Sequence, residues 1–460
     1  MKRFKLISWL ILCSLSNVEK AESKKTIVIN NHFGLIHHWL EFVISVFLQK
    51  RGHKVYFISD ILCNSKFPQT HFYNSKFKKL VSLISFCLNY IFYLICIVIL
   101  FLNGVKIVAI KKTSINSNYN QFKFIINEII RKWSGKRNFQ SKKTEMKITK
   151  SLLNYANTFF SIVSTKSPDS VFTSHGIYQW GIVNLAEIKT IIYGRQVYIP
   201  GTFKFSLRPF VFGDLIGPPL NQKINFKSRL EGKESDQENF FCDNHKDQLD
   251  FISKINSERG NKKVVLLTPN CVWDGDINIR DIFFDGVVDW ISRTYSYFKE
   301  SDKVLLLIRS HPGEINIWKG MTKLSDEIPS LKQYEFFLDS DSKVNTYDLI
   351  KLSDLVITYS GFITLESAII KGYSLCVANN PYSELPGVIT AENWEDYVDF
   401  IENNNFSNIN NHNLISKFEK KLLKGVEIPN HNKKSLYTFP ENRPIFNDPF
   451  FLKIESIIIK

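Results

Sequence analysis

The sequence predicts an α/β chain of two domains, each built on a parallel sheet. Three observations carry that prediction. Short β-branched runs alternate with stretches of helical apolar spacing, which is the pattern of βαβ units. The runs end in polar clusters, where an open α/β sheet gathers its ligands. And 460 residues is long for one hydrophobic core, with a highly charged stretch at 226–260 available as a linker.

Residues 1–24 are a leading apolar and basic segment. A basic start and a short apolar run are also features of a secretory signal. Glu19, Lys20 and Glu22 crowd the place where small residues would mark cleavage, so an uncleaved helix is expected. Residues 25–225 form the expected first domain. Lys25–Asn30 reads as a strand and Leu35–Lys50 as a helix with one buried stripe, closed by Gly52. Lys54–Ser59 is the next strand, which makes the pair parallel.

The run Val81–Leu102 is apolar almost throughout and long enough to span a bilayer. Three readings stand: a buried or membrane-dipping element of a cytoplasmic enzyme, a true span, or a plain core helix. A span would split the first βαβ unit from its domain, which favours the first reading. Lys76, Lys78 and Lys79 before it, and Lys106, Lys111 and Lys112 after it, suit an anionic membrane surface. Residues 114–151 are polar and basic, with few aromatics for base stacking, so a solvated face is expected and nucleic acid is not.

Asp169–Thr173 is a strand, Ser174–Gly181 its loop, Ile182–Ile192 a helix and Gln196–Ile199 a further strand. Pro200–Pro219 is expected to be irregular. After the linker, residues 261–425 form the second domain. Lys263–Thr268 opens it, Ile282–Phe298 is an amphipathic helix, and Val304–Ile308 and Ser353–Thr358 lead into polar strand ends. Asn393–Asn405 and Asn413–Lys424 read as closing helices. The tail, 426–460, carries four prolines and is expected to lack regular structure.

Composition narrows the class. Hydrophobic residues at 44% against 22% charged exclude a disordered chain. Lys+Arg 59 against Asp+Glu 44 gives a net charge of +15, which favours anionic partners. The seven cysteines are scattered with no C-x-x-C pair. Free thiols in a reducing, cytoplasmic setting are expected, not a zinc site or disulfide framework.

Four constellations offer chemistry. In Arg309–Pro312 (RSHP) a strand delivers Arg309 and His311 to its end. Arg makes bidentate contacts to phosphate and His donates to a phosphoryl oxygen. In Thr358–Ser367, Ser360 is placed to cap a helix whose start, with Gly361 and Thr364, offers N–H groups to phosphate. Glu366 suits ribose or sugar hydroxyls, and ordinary capping explains the same residues equally well. Two loops of the first domain hold His32, His37, His38, His175 and Tyr178. A histidine there is a candidate general base for an acceptor hydroxyl, or a plain hydrogen-bonding group. Finally, Trp273–Asp276 (WDGD) offers Asp274 as a base or metal ligand, but Asp-Gly is first of all turn chemistry. No dinucleotide fingerprint, P-loop, nucleophile elbow or zinc motif is present in the sequence.

The pairing of R-x-HP with a downstream SD-x-V-x-x-x-S-G-x-x-x-x-E-S-A and an N-P-Y element resembles the bacterial capsule polysaccharide biosynthesis glycosyltransferases, Kdo-transferase-like enzymes among them. The SHG-x-Y loop and TPN-x-x-WD-x-D are similar too. Teichoic-acid glycerophosphotransferases share the HP and Ser/Glu features. The resemblance covers the second half well and the first half by its βαβ pattern and two loops. It implies a GT-B fold: two Rossmann-like domains across a cleft. It also implies a nucleotide-sugar donor, a CMP-sugar included, held by Arg309, His311, Ser360, Gly361, Thr364 and Glu366. The acceptor, a capsule or other surface polysaccharide or a glycolipid, would sit near His37, His38, His175 and Tyr178. The resemblance implies no bound metal. No bound cofactor is expected, and the basic flanks of the apolar run make the inner face of the cell membrane the expected location.

Overall fold

The computed structural model describes residues 2–31, 39–59, 76–110, 142–174, 183, 188–195, 202–207, 215–221, 224, 230–231, 245–272, 280–281, 283–316, 323–359, 361–379, 387–403, 423–428 and 449–460. The chain folds as two compact units. One takes residues 1–130, 139–222 and 422–460, the other 131–138 and 223–421. Both are doubly wound α/β units.

In the first unit, β1 (Thr26–Asn31), β2 (Lys54–Ser59) and β3 (Lys106–Ala109) lie parallel in the order β3-β2-β1. Then β4 (Ser170–Ser174) pairs with the other side of β1, and β5 (Thr190–Arg195) with β4. An antiparallel extension follows, of β6 (Thr202–Ser206), β7 (Leu215–Ile216) and β16 (Val426–Glu427). The strand order therefore reverses between β1 and β4, which is the topological switch point.

Helices α1 (Lys2–Leu15), α2 (Trp39–Arg51) and α3 (Lys76–Leu102) pack together, and their buried side chains share a core with Ile27, Ile29, Val55 and Phe57. α2 links β1 to β2 and α3 links β2 to β3. Right-handed crossovers place both on one face. The apolar run Val81–Leu102 is thus a crossover helix of this sheet. Tyr93, midway along it, donates to Asn31 Oδ1 at 2.6 Å and meets Ser59 Oγ at 3.1 Å, both at strand ends. Helix α4 (Lys142–Lys166) serves the opposite face, where Tyr155 donates to Asn30. Among the described residues, no helix is long and apolar enough to cross a membrane.

Four expectations need correction here. α2 is buried from Trp39 through Leu48, not along one stripe, because α1 and the C-terminal helix cover its outer side. The strand after β4 is Thr190–Arg195, which the sequence reading ended as a helix. Its β-branched start pairs in register with Val171–Ser174, and Gln196–Ile199 lies outside the described residues. Pro200–Pro219 contains β6 and β7, because the TFKFS run falls between prolines and none interrupts its ladder. The tail is not irregular where described. It adds β16 to the first sheet and ends in helix α10 (Pro449–Ile459), which starts at a proline because the first helical position needs no N–H. Phe450 stacks on Trp39 and Phe451 on Phe47, and the Glu455 carboxylate accepts from Arg51 Nε and the buried His53 Nε2.

The second unit has the order β11-β10-β8-β12-β13-β15, all parallel. Its strands are β8 (Lys263–Thr268), β10 (Val304–Arg309), β11 (Phe337–Leu338), β12 (Leu355–Thr358), β13 (Ser374–Cys376) and β15 (Val388–Thr390). A two-strand ribbon of β9 (Arg280–Asp281) and β14 (Ala378–Asn379) stands apart. Helices α5 (His245–Arg259) and α7 (Thr346–Leu352) bury Ile255, Tyr347, Leu349 and Ile350 with Val264, Leu266, Leu305 and Val356. His245–Arg259, at the end of the charged stretch, is a packed helix, tied by Arg259 to Asp354 at 2.9 Å. Its other α-helices of more than one turn, among the described residues, are α6 (Val287–Phe298), α8 (Phe362–Lys371) and α9 (Trp394–Glu402). The proposed closing helix Asn413–Lys424 falls almost wholly outside the described residues. Among the described residues, Cys13, Cys96, Cys271 and Cys376 are buried and Cys87 is exposed, and none is in a disulfide. Burial pushes the Cys96 thiol up to about 12, so it stays a neutral core residue.

Candidate functional site

The site builds from the order β10-β8-β12. These three neighbouring parallel strands end at Arg309, Thr268 and Thr358, with the switch point between β8 and β12. The loops that leave them carry His311, Asp274 and Ser360–Gly361. Asp274 and Ser360 lie outside the described residues. The others can be placed.

His311 is exposed. The Gly313 N–H donates to its Nδ1 at 2.9 Å. A backbone N–H can only donate, so Nδ1 accepts and the neutral ring carries its proton on Nε2. The loop thereby fixes the histidine as an Nε2 donor, the form that meets a phosphoryl oxygen.

Helix α8 starts one residue later than its sequence suggests. Its N-cap is Gly361, not Ser360, and no side chain caps it. Gly361 has φ of +104°, which only glycine adopts without strain, and a Cβ there would meet nothing within 4 Å. A ten-residue helix thus begins with backbone N–H groups at an open position. Thr364 is buried and its hydroxyl pairs with that of Thr358 at 2.9 Å, locking the helix start to the end of β12. Gly372 ends the helix in the left-handed conformation.

Arg309 departs from its expected role. It is 2% exposed, and its guanidinium donates to the carbonyls of Ser310, Asp339 and Ser342 at 3.2, 2.6 and 2.9 Å. Burial lowers it to about 10, opposed by Asp339, Asp341 and Glu314, so it is a cation at neutral pH. Its fork holds the loop after β11 against the end of β10. Glu366 is likewise 2% exposed and accepts from the Tyr347 hydroxyl at 2.8 Å, which joins α8 to α7.

Glu314, three residues after His311, was not singled out from sequence. It is buried and accepts from Ser310 Oγ at 2.7 Å and from the N–H groups of Val272 and Leu324 at 3.3 Å each. One carboxylate therefore ties the loop after β10 to the loop after β8. Burial pushes it up to about 7, with the Ser310, Leu324 and Val272 bonds opposing. The signal in the sequence is an acid placed one turn beyond an HPG corner.

In the first unit, β1 and β4 are neighbours with Asn30 opposite Thr173. The loops that follow them start after Asn31 and Ser174 and carry His37, His38, His175 and Tyr178, all outside the described residues. Beneath those strand ends lies a buried polar network that sequence reasoning missed. Glu41 accepts from Asn31 and from the Tyr193 hydroxyl, the latter at 3.2 Å. Burial, and then Glu41, push Tyr193 well above its ordinary range, so it stays a donor. The lone acid in the WLEF stretch, inside an otherwise apolar stripe, was the available clue.

No protein-family model matches the chain, and no curated protein is similar to it in sequence. Solved structures of similar fold include the KpsC beta Kdo 2,7 transferase of Thermosulfurimonas dismutans, at 12% identity over 59% of this chain and 80% of that one, with a TM-score of 0.32. The UDP-GlcNAc 2-epimerase of Methanocaldococcus jannaschii matches at 13% identity over 87% and 98%, with a TM-score of 0.27. The wall teichoic acid polymerase TagF matches at 11% over 91% and 87%, with a TM-score of 0.22. These likenesses are coarse, and they include an epimerase beside transferases. The chain's own strand order and strand-end loops carry the functional reading.

Proposed function

We propose that the chain is a GT-B-type glycosyltransferase that moves a sugar from a nucleotide-sugar donor to a polysaccharide or glycolipid acceptor of the cell surface. The observation that carries this reading is the junction of β10, β8 and β12. There an exposed histidine fixed as a donor follows β10, and the start of α8 at Gly361 follows β12, the two strands that flank β8. Such donors suit the charge that grows on a departing nucleotide phosphate. The reading assigns the donor to this unit, with Arg309, Glu314, Thr364 and Glu366 holding the loops in place. It assigns the acceptor to the first unit's loops, with His37 or His175, or else Asp274 of the second unit, as the base. It invokes no resident metal and no bound cofactor, and it places the enzyme at the cytoplasmic face of the membrane.

The test is nucleotide release from a panel of nucleotide sugars, CMP-sugars included, with an oligosaccharide acceptor. Release from at least one activated sugar supports the reading. Release from CDP-polyols alone would replace it with a teichoic-acid-type polyol-phosphate transferase. Absence of nucleotide binding by calorimetry, with function in cells intact in His311→Ala, would make the chain a non-catalytic assembly component.

A further inference from the structure

Among the described residues, α3 carries apolar side chains on both of its faces, one set buried in the core and the other exposed. Tyr93, Cys96 and Leu100 are fully buried against the first unit, whereas Ile91, Val98 and Phe101 are 53%, 55% and 67% exposed. Their spacing of seven and three residues runs them down one outer stripe. α1 packs beside α3, with the Phe4 ring edge-on to Phe92 at 4.8 Å, and repeats the pattern. Leu6, Trp9 and Leu10 are buried, while Phe4, Ile11 and Leu15 are exposed. Two adjoining helices thus present a joined apolar surface larger than scattered surface residues would make.

The charge around this surface says what covers it. No carboxylate occurs from residue 61 to residue 127, a stretch that holds Lys76, Lys78 and Lys79 at the start of α3 and Lys106, Lys111 and Lys112 beyond its end. α1 opens with Lys2, Arg3 and Lys5 and contains no acid. Apolar stripes on helices whose sequence and flanks carry lysines and no acid fit the interface of an anionic bilayer, where side chains enter the acyl boundary and lysines meet headgroups. A span does not fit, because Tyr93 is hydrogen-bonded to two strand ends in the middle of the helix.

We infer that the outer faces of α1 and α3 form a monotopic docking surface for an anionic lipid bilayer. The inference deepens the membrane-associated part of the function proposed above, and its test reads vesicle binding without reference to sugar transfer. The full chain is floated with phosphatidylcholine vesicles prepared with and without phosphatidylglycerol. Binding is expected to the anionic vesicles, to weaken with salt, and to fall by about 100-fold or more when Ile91, Val98 and Phe101 are all changed to Glu. Leu249→Glu, at an exposed leucine of α5, is expected to bind as the parent does. A second measurement does not require the charged variant to fold. A polarity-sensitive dye on the exposed Cys87, with Cys63 and Cys242 replaced by Ser, is expected to shift to the blue on anionic vesicles. Absence of binding, binding unchanged in the triple variant, or a dimer in solution that the same variant dissociates would overturn the inference, the last in favour of a second copy of this chain.

Discussion

Arg309 and Glu314 show how two charged side chains at one strand end divide the work. The cation spends its donors on three carbonyls, and the acid gathers a hydroxyl and two N–H groups. Replacing Arg309 by Met strands those carbonyls and is expected to cost on the order of 2–4 kcal/mol in urea unfolding. Lys is expected not to rescue it, since one ammonium does not reproduce a planar fork. Glu314 makes stability depend on pH. Its folded value, about 7, lies above its unfolded value of about 4.5, so folding favours the protonated form. Its contribution is whole below about pH 4.5 and is lost as pH rises to about 7. The stability of the parent relative to Glu314→Gln should fall by on the order of 3 kcal/mol between pH 5 and pH 8, and a flat difference would refute the assignment. Sequence placed Arg309 at a strand end, because the apolar run before it is unmistakable. It did not show that Arg309 turns inward, since the carbonyls that hold it come from a loop some thirty residues away.

At the scale of elements, the C-terminal helix is the clearest test of packing. Phe450 and Phe451 of α10 are buried against Trp39 and Phe47. Changing either to Ala is expected to cost about 3–5 kcal/mol, measured on the unfolding of the first unit. Burial raises the Glu455 carboxyl, but the bonds from His53 and Arg51 outweigh it and hold the carboxyl below its ordinary range. A depressed value stabilises above the unfolded carboxyl range and is lost as pH falls through the folded one. Glu455→Gln should therefore lower the melting temperature at pH 7 and matter less near pH 3. The strands β1, β2, β8, β10 and β12 were legible because each is a short β-branched or leucine-rich run with polar ends. β5, β6 and α10 were not. β5 is fixed by its neighbour's register, β6 sits among prolines, and α10 owes its order to aromatic partners some four hundred residues earlier in the chain.

On the scale of the molecule, one strand order appears twice. The first sheet runs 3-2-1-4-5-6 with β6 reversed and is extended beyond it by β7 and β16, and the second runs 3-2-1-4-5-6 throughout. Each order has one switch point; in the second unit Gly361 follows β12 at that point, and His311 follows β10, one strand away. A net charge of +15 suits a chain whose proposed donor and membrane are both anionic. The repeated α/β pattern was readable from alternation alone, but the return of the tail to the first unit was not, because nothing local in residues 423–460 names its partner. The central claim is that the β10-β8-β12 junction holds a nucleotide-sugar donor. Its most direct test is nucleotide release from a panel of activated sugars by the parent and by His311→Ala, with circular dichroism melts to confirm an unchanged fold. The account predicts release by the parent from at least one nucleotide sugar, reduced by about 100-fold or more in the variant. Equal release by the two proteins, or none from any donor, would contradict it.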